Sequence, residues 1–228
     1  MSRPGHGLAG VSDAGAFLAR LVRLDPAAVV RLRPGPAGSG LVALWGRLPW
    51  GVLVTRAVPG TDPGDVAVSA ADLLAALAAT GDLPARRDPD WRWSLPPDPG
   101  VTVESVGAAQ VAAVARAAAR TFREAARAPR AGERAVRDAL LDHVPIVALP
   151  EPGAGAAGEL PERVPVSQRL VQAVARMGFL GPDREAAEHC VHVRLAARWV
   201  GLAAPYGTAW LPPVSPLAIR PPVGPTNV

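Results

Sequence analysis

Leu41-Val42-Ala43-Leu44-Trp45-Gly46-Arg47-Leu48-Pro49-Trp50-Gly51-Val52-Leu53-Val54-Thr55-Arg56-Ala57-Val58 is a run of β-forming residues broken once, at Arg47-Leu48-Pro49. Val, Leu and Trp suit a pleated, half-buried surface, and Pro beside Gly supplies the turn. Two strands are expected, Leu41–Trp45 and Gly51–Val58. Upstream, Ala28–Leu32 has the same character and is set off by Pro34-Gly35-Pro36-Ala37-Gly38-Ser39-Gly40. The three segments predict an antiparallel meander.

Helices flank it on both sides. Phe17, Leu18, Leu21 and Val22 repeat at the spacing of one buried helical face, after Ser12 and Asp13 as a cap and before Pro26 as a stop. Ser69 caps a second helix that carries Leu73, Leu74 and Leu77 and ends near Gly81. Residues 1–82 therefore read as an N-terminal helix–three-strand–helix module.

Residues 83–100 are a Pro-rich linker holding Trp91-Arg92-Trp93. Two Trp at period two share one face of an extended segment, which suits a strap pinned across the protein. With Arg86, Arg87 and Arg92, the same rings could form a stacking platform for unpaired bases.

Residues 101–212 read as a C-terminal module. It opens on a long helix from about Val106 to Ala128, broken at Pro129 and Gly132, with a second helix ending near His143. A short apolar strand, Val144–Leu149, leads into a Pro/Gly/Ala-rich loop from Pro150 to Pro165. Ser167 caps a helix through Leu170, Val171, Val174 and Met177, which Gly178 ends. Val191–Ala196, Trp199–Ala203 and Thr208–Leu211 follow as strands, and residues 213–228 form a Pro-rich tail. The expected fold class is α+β, an N-terminal helix–meander–helix module joined to a C-terminal helical module with a β-hairpin or meander. Trp45 and Trp199 sit in apolar β-rich runs and are expected to be buried.

Every one of the 24 basic residues is Arg, and the chain carries a net charge of +4. Residues 105–137 alone carry +5, so the basic character is local. Arg116, Arg120, Arg123, Arg127, Arg130, Arg134 and Arg137 are spaced by four and three. On a helix that spacing forms one stripe. Arg116, Arg120, Arg123 and Arg127 lie opposite Val111, Val114, Ala118, Phe122 and Ala125, so such a stripe could neutralise phosphates. In a chain without lysine, arginine also fills ordinary solvated faces and pairs with internal acids. The partner that fits the stripe is anionic, a nucleic acid or an acidic protein.

Other chemistries find little support. Cys190 is alone, which excludes an internal disulfide and a cysteine-based zinc site and fits a reducing cytoplasm. Glu188, His189, Cys190 and His192 lack the further ligands that a four-coordinate metal needs, and as strand neighbours they are poorly oriented as a nucleophile pair. The Gly-rich loop at 34–40 joins two strands and has no lysine, so it is no phosphate loop. No metal or cofactor is expected. Trp199–Ile219 is uncharged, but Pro205, Pro212, Pro213 and Pro216 forbid an unbroken membrane helix. The function class expected is a non-catalytic regulatory or scaffold protein. Nucleic-acid binding through the stripe, and an enzyme of unrecognised type, are the alternatives.

Three resemblances add to this reading. The helices followed by Val166-Ser167-Gln168-Arg169-Leu170-Val171-Gln172-Ala173-Val174-Ala175-Arg176-Met177-Gly178-Phe179-Leu180 and strands resemble a winged-helix order. That implies a recognition helix exposing Gln168, Arg169, Gln172 and Arg176, although some twenty residues separate the second helix from the third. Leu41-Val42-Ala43-Leu44 through Val66-Ala67-Val68-Ser69-Ala70-Ala71-Asp72-Leu73-Leu74 is similar to a sliding-clamp module, whose helices present basic faces to DNA. The second half does not repeat that pattern. As a whole the chain resembles the uncharacterised two-domain proteins of high-GC actinobacteria, which brings no function with it.

Overall fold

β1 (Val29–Pro34), β2 (Leu41–Arg47) and β3 (Leu53–Pro59) pair antiparallel, with Trp45 opposite both Arg31 and Thr55. The computed structural model describes residues 5–61, 63–79, 81–98, 100–125, 127, 133–150, 160–182, 184 and 188–213. Arg130, most of the loop after Pro150 and the tail beyond Pro213 lie outside the described residues.

α1 (Val11–Leu24) precedes the meander and starts behind Gly10, ahead of the expected Ser12–Asp13 cap. It buries Ala14, Phe17, Leu18 and Leu21. β4 (Val66–Ser69) returns alongside β1, and α2 (Ala70–Ala78) follows at once. Asp72 N–H donates to the Ser69 Oγ at 3.2 Å, which satisfies one of the open donors of the first turn.

The second half runs β5 (Val101–Gly107), α3 (Ala108–Ala125), α4 (Glu133–Asp142), β6 (Ile146–Ala148), β7 (Val164–Val166), α5 (Gln168–Arg176), β8 (Cys190–Ala196), β9 (Trp199–Ala204) and β10 (Gly207–Leu211). β6 and β7 form a small separate ribbon.

The remaining eight strands make one antiparallel sheet in the order β4-β1-β2-β3-β10-β9-β8-β5. That order is a palindrome of roles: an edge strand, a three-strand meander, a second meander and a second edge strand. The seam is the β3–β10 pair, with Thr55 opposite Thr208, Val54 opposite Ala209 and Leu53 opposite Trp210.

The expectation of two α+β modules is therefore corrected. The two meanders are halves of a single sheet, because the free edge of β3 finds its partner in β10 and not in solvent. The second half also does repeat the helix-then-meander pattern, as α5-β8-β9-β10. Its edge strand and second helix come before the meander, where the first half has them after it. Three strands go beyond the sequence expectation. β5 takes up residues 101–105, to which no element is assigned, and the expected start of the long helix; β4 takes up residues 66–69, ahead of the second helix; and β7 takes up the end of the loop expected to run to Pro165.

All the helices that touch the sheet lie on one face. Leu32, Leu44, Val54, Val193, Leu202 and Ala209 point from both halves into one continuous core beneath α1, α3 and α5. Phe17 of α1 and Phe179, just beyond α5, stack across the seam with centroids 6.3 Å apart and planes within 7°. Such a pair adds about 0.5–1.5 kcal/mol beyond its buried area.

The outer face is covered by the strap. Arg87 N–H donates to the Ala67 carbonyl of β4, and the Asp88 carboxylate accepts the Ala67 N–H at 2.7 Å. That backbone hydrogen bond is the main reason the Asp88 carboxyl sits below its usual range. Trp91 then lies beneath Arg31 of β1, and Trp93 beneath Arg47 of β2. Leu53, Trp210 and Ala196 complete the patch with Trp45, Trp199 and Leu95 around them. Arg194 of β8 donates to the Gly100 carbonyl at 2.6 Å as the strap enters β5. Of the three sheet tryptophans only Trp210 is buried, at 6% exposure. Trp45 and Trp199 are half-buried, because the strap shields one side of each ring and not both.

Candidate functional site

α3, α4 and α5 each touch the other two, and residues from all three line a cleft of about 890 Å³. Its volume falls in the range of small-ligand sites. Arg123 from α3, Arg134 and Arg137 from α4, and Arg169 and Arg176 from α5 all line it, with Asp138 and Asp142 as the acids. The walls therefore carry an excess of three positive charges. Trp50, Pro49, Leu24, Phe122 and Leu141 give it an apolar side.

The fold places these groups by a few fixed contacts. Arg169 donates to the Trp50 carbonyl at 2.8 Å and to the Asp142 carboxylate at 2.7–2.9 Å. The Trp50 Nε1–H donates back to the Arg169 carbonyl at 3.1 Å. Gln172 Nε2 donates to the Ala115 carbonyl, which closes α5 onto α3. Gln168 N–H donates to the His143 carbonyl at 2.8 Å, tying the start of α5 to the end of α4. The Gln168 side chain is only 2% exposed, and its Nε2 has no hydrogen-bond partner among the described residues.

The two groups of residues singled out in the sequence thus converge in part. Arg123, Arg134 and Arg137 of the stripe share the cleft with Gln168, Arg169, Gln172 and Arg176. Arg116, Arg120 and Arg127 do not line it, and they lie exposed on the outer flank of α3 and just past its end. α5 is mainly a core helix, burying Gln168, Leu170, Val171, Ala173 and Val174 against the sheet, so only Arg176 of its four candidates is exposed. β6 and β7 intervene between α4 and α5.

Arg134 and Arg137 both approach Asp138, at 3.8 and 3.6 Å, with all three partly or fully solvated. Such exposed pairs hold side chains weakly. Arg120, Arg123, Arg127 and Arg176 face no carboxylate within ion-pair distance among the described residues. Sequence reasoning missed Trp50 and Asp142. The only available signal was Trp50 in a Pro-Trp-Gly turn, where a large ring has no strand to cover.

Elsewhere the chemistry is sparse. Cys190 and His192 are exposed on one face of β8, and the Ser105 hydroxyl meets His192 Nδ1 at 2.8 Å from the neighbouring β5. No described carboxylate orients that imidazole, which a Ser–His pair needs for proton transfer. Among the described residues no three His, Cys, Asp or Glu side chains cluster as metal ligands, and no helix is long and apolar enough to cross a membrane.

Comparison with solved structures corrects the fold class. The chain superposes on a candidate DNA polymerase III beta subunit from Eubacterium rectale with a TM-score of 0.51 at 8% identity, over 92% of this chain and 64% of the other. Similar superpositions reach the DNA polymerase III beta subunit of Pseudomonas aeruginosa (TM-score 0.47, 13% identity, 89% and 64% coverage). Another is the beta subunit from DNA polymerase of Streptococcus pyogenes (0.49, 11% identity, 89% and 62%). The first of these superpositions shows a fold of the DNA polymerase III beta subunit kind, and the chain spans under two thirds of the length of these proteins. No curated protein matches the sequence. Residues 7–93 match the Domain of unknown function DUF8010, and residues 95–216, more than half of the chain, match the Domain of unknown function DUF8185. The two matches meet within the strap, and the chain belongs to the DUF8185 family, with a DUF8010 domain ahead of it.

Proposed function

We propose that the protein is a non-catalytic scaffold of clamp-like fold that holds a nucleic acid against the arginine face of α3. The observation that carries this reading is the openness of Arg120, Arg123 and Arg127. All three are exposed, and no described carboxylate pairs with them. Elsewhere Arg31, Arg56, Arg86, Arg87 and Arg169 are each ion-paired within the chain. An arginine row serving only internal pairing would look like that second group. Arg116 to Arg123 covers roughly 10 Å of α3, with Arg127 just past its end, enough to meet phosphates in succession. The likeness in fold to a protein named as a DNA polymerase III beta subunit supports the same partner.

The test is retention on duplex and single-stranded DNA as salt is raised. Each phosphate neutralised on a duplex contributes a slope of about −0.9 in log affinity against log salt. Changing Arg120→Gln and Arg127→Gln together is expected to flatten that slope by about two and weaken all sequences alike, with the melting temperature unchanged. No retention at low salt, or an unaltered slope, overturns the reading.

A further inference from the structure

We infer that the cleft between α3, α4 and α5 is a binding site for a nucleoside phosphate, with the Gln168 carboxamide reading the base edge. This site goes beyond the α3 reading and shares only Arg123 with it. Three features of the cleft, each with its own cause, point to one ligand chemistry.

The first is Gln168. A buried amide without a partner is destabilising unless something supplies the acceptor, so native proteins rarely keep one without a purpose. Gln168 opens α5 behind the Ser167 cap, a position that leucine could fill within the core. Gln168 lines the cleft with its Nε2 shut just behind the surface, and that unpartnered N–H calls for a carbonyl oxygen or ring nitrogen, which a ligand in the cleft supplies once the carboxamide turns outward.

The second is the charge. Arg123 and Arg176 have no described carboxylate, and Arg134 and Arg137 share one exposed aspartate at 3.6–3.8 Å. Four guanidinium groups thus line one space with little internal neutralisation, a setting that suits the oxygens of a phosphate chain. The third is the pair of rings. Trp50 is fixed by its indole bond to the Arg169 carbonyl and Phe122 faces the same space, so a flat heterocycle finds stacking surfaces. An inorganic anion would use only the arginines. A hydrophobic ligand would leave them unpaired. A base joined to a phosphate uses all three.

The ligand could come free or as the phosphorylated end of a single strand, and the experiment separates these. The full chain is titrated calorimetrically with ATP, GTP, CTP and UTP, with inorganic triphosphate, with the four nucleosides, and with a 5′-phosphorylated single-stranded hexanucleotide. At least one nucleoside triphosphate is expected to bind about tenfold or more tightly than inorganic triphosphate and than its own nucleoside. Gln168→Leu is expected to lose about tenfold for that nucleotide, the worth of one hydrogen bond to a buried donor, and nothing for inorganic triphosphate. Its melting temperature should hold or rise, which a structural glutamine would not allow.

Arg176→Gln lies at the cleft surface and should weaken the nucleotide and inorganic triphosphate together; it decides the matter if Gln168→Leu does not fold. A hexanucleotide that outcompetes the nucleotide assigns a strand end, and the reverse assigns the free nucleotide. Equal binding of inorganic triphosphate, no binding of any probe, or a nucleotide affinity untouched by both substitutions overturns the proposal. Duplex retention and its dependence on Arg120 and Arg127, which lie outside the cleft, report separately on the α3 reading.

Discussion

Arg169 and Trp50, 119 residues apart, exchange hydrogen bonds: the guanidinium donates to the Trp50 carbonyl at 2.8 Å, and the indole N–H donates to the Arg169 carbonyl at 3.1 Å. The β2–β3 turn of one half is thereby latched to the first turn of α5 in the other. Arg169→Ala is expected to destabilise by about 1–3 kcal/mol, since charged hydrogen bonds to the Trp50 carbonyl and Asp142 are both lost. Trp50→Phe keeps the ring and should lose about 1 kcal/mol. Because both act on one latch, urea melts of the double variant should show a coupling of at least about 0.5 kcal/mol. Strictly additive losses would mean that the two bonds work independently.

Gly201 of β9 faces Trp210 of β10, and a Cβ there would sit 2.6 Å from the indole ring. Gly201→Ala should therefore force Trp210 aside and destabilise by about 1–3 kcal/mol, as overpacking does. Gly15 in α1 is the control, because its Cβ would meet nothing within 4 Å. Gly15→Ala should stabilise by about 0.5–1 kcal/mol through helix propensity. Thermal melts read both, and a neutral Gly201→Ala would show that the ring does not rest on the strand.

His6 is 7% exposed and accepts the Leu8 N–H at Nδ1, 3.0 Å away. Burial lowers its pKa, against a smaller opposing pull from Asp82. The unfolded chain therefore takes up the proton first as pH falls. The stability that neutral His6 contributes is complete above the ordinary histidine range near 6.5 and declines as pH drops through that range toward the lower folded value. Asp65 is held low chiefly by its hydrogen bond from Arg31, and Asp88 by the Ala67 amide. Their contribution is present above the ordinary carboxylate range and disappears at still lower pH. Urea midpoints measured from pH 8 to 5 should fall in the native chain and stay flatter in His6→Asn. Parallel curves would assign the decline to other groups.

How far the sequence reveals this molecule depends on the range of the interaction concerned. Ser69 and Ser167 mark helix starts because a cap bonds to an amide two or three residues on. The apolar face at Phe17, Leu18 and Leu21 is likewise written in a single helix. The β3–β10 seam is different. Leu53 and Trp210 are adjacent in space and 157 apart in number, and nothing in either segment's alternation names its partner. The single sheet is for that reason not legible in the sequence, and Val101–Gly107 is hidden as a strand because its last two residues run without a break into an alanine-rich helix. The cleft follows the same logic. The four–three spacing made the stripe visible on α3 and α4, whereas the walls contributed by Trp50 and α5 arise only when the halves close. Gln168 was noticed for its exposure on a recognition helix, and its burial reverses that reason.

The palindromic strand order also explains why the strap exists. Leaving α2, the chain stands beside β4 at one rim of the sheet and must reach β5 at the other. Seven inter-strand gaps lie between, roughly 34 Å at the usual spacing. The helix-bearing face is already occupied, so the only route is across the back. Past a single 3-10 turn at Asp88–Asp90, an extended, proline-stiffened thread gains about 3.1 Å per residue and makes the journey by Gly100. A path imposed by connectivity is thereby made into a wrapper. Trp91, Trp93 and Leu95 turn inward along the way and roof a β-surface that would otherwise be wet, so shortening this thread would strip the back of the sheet as well as part its two rims.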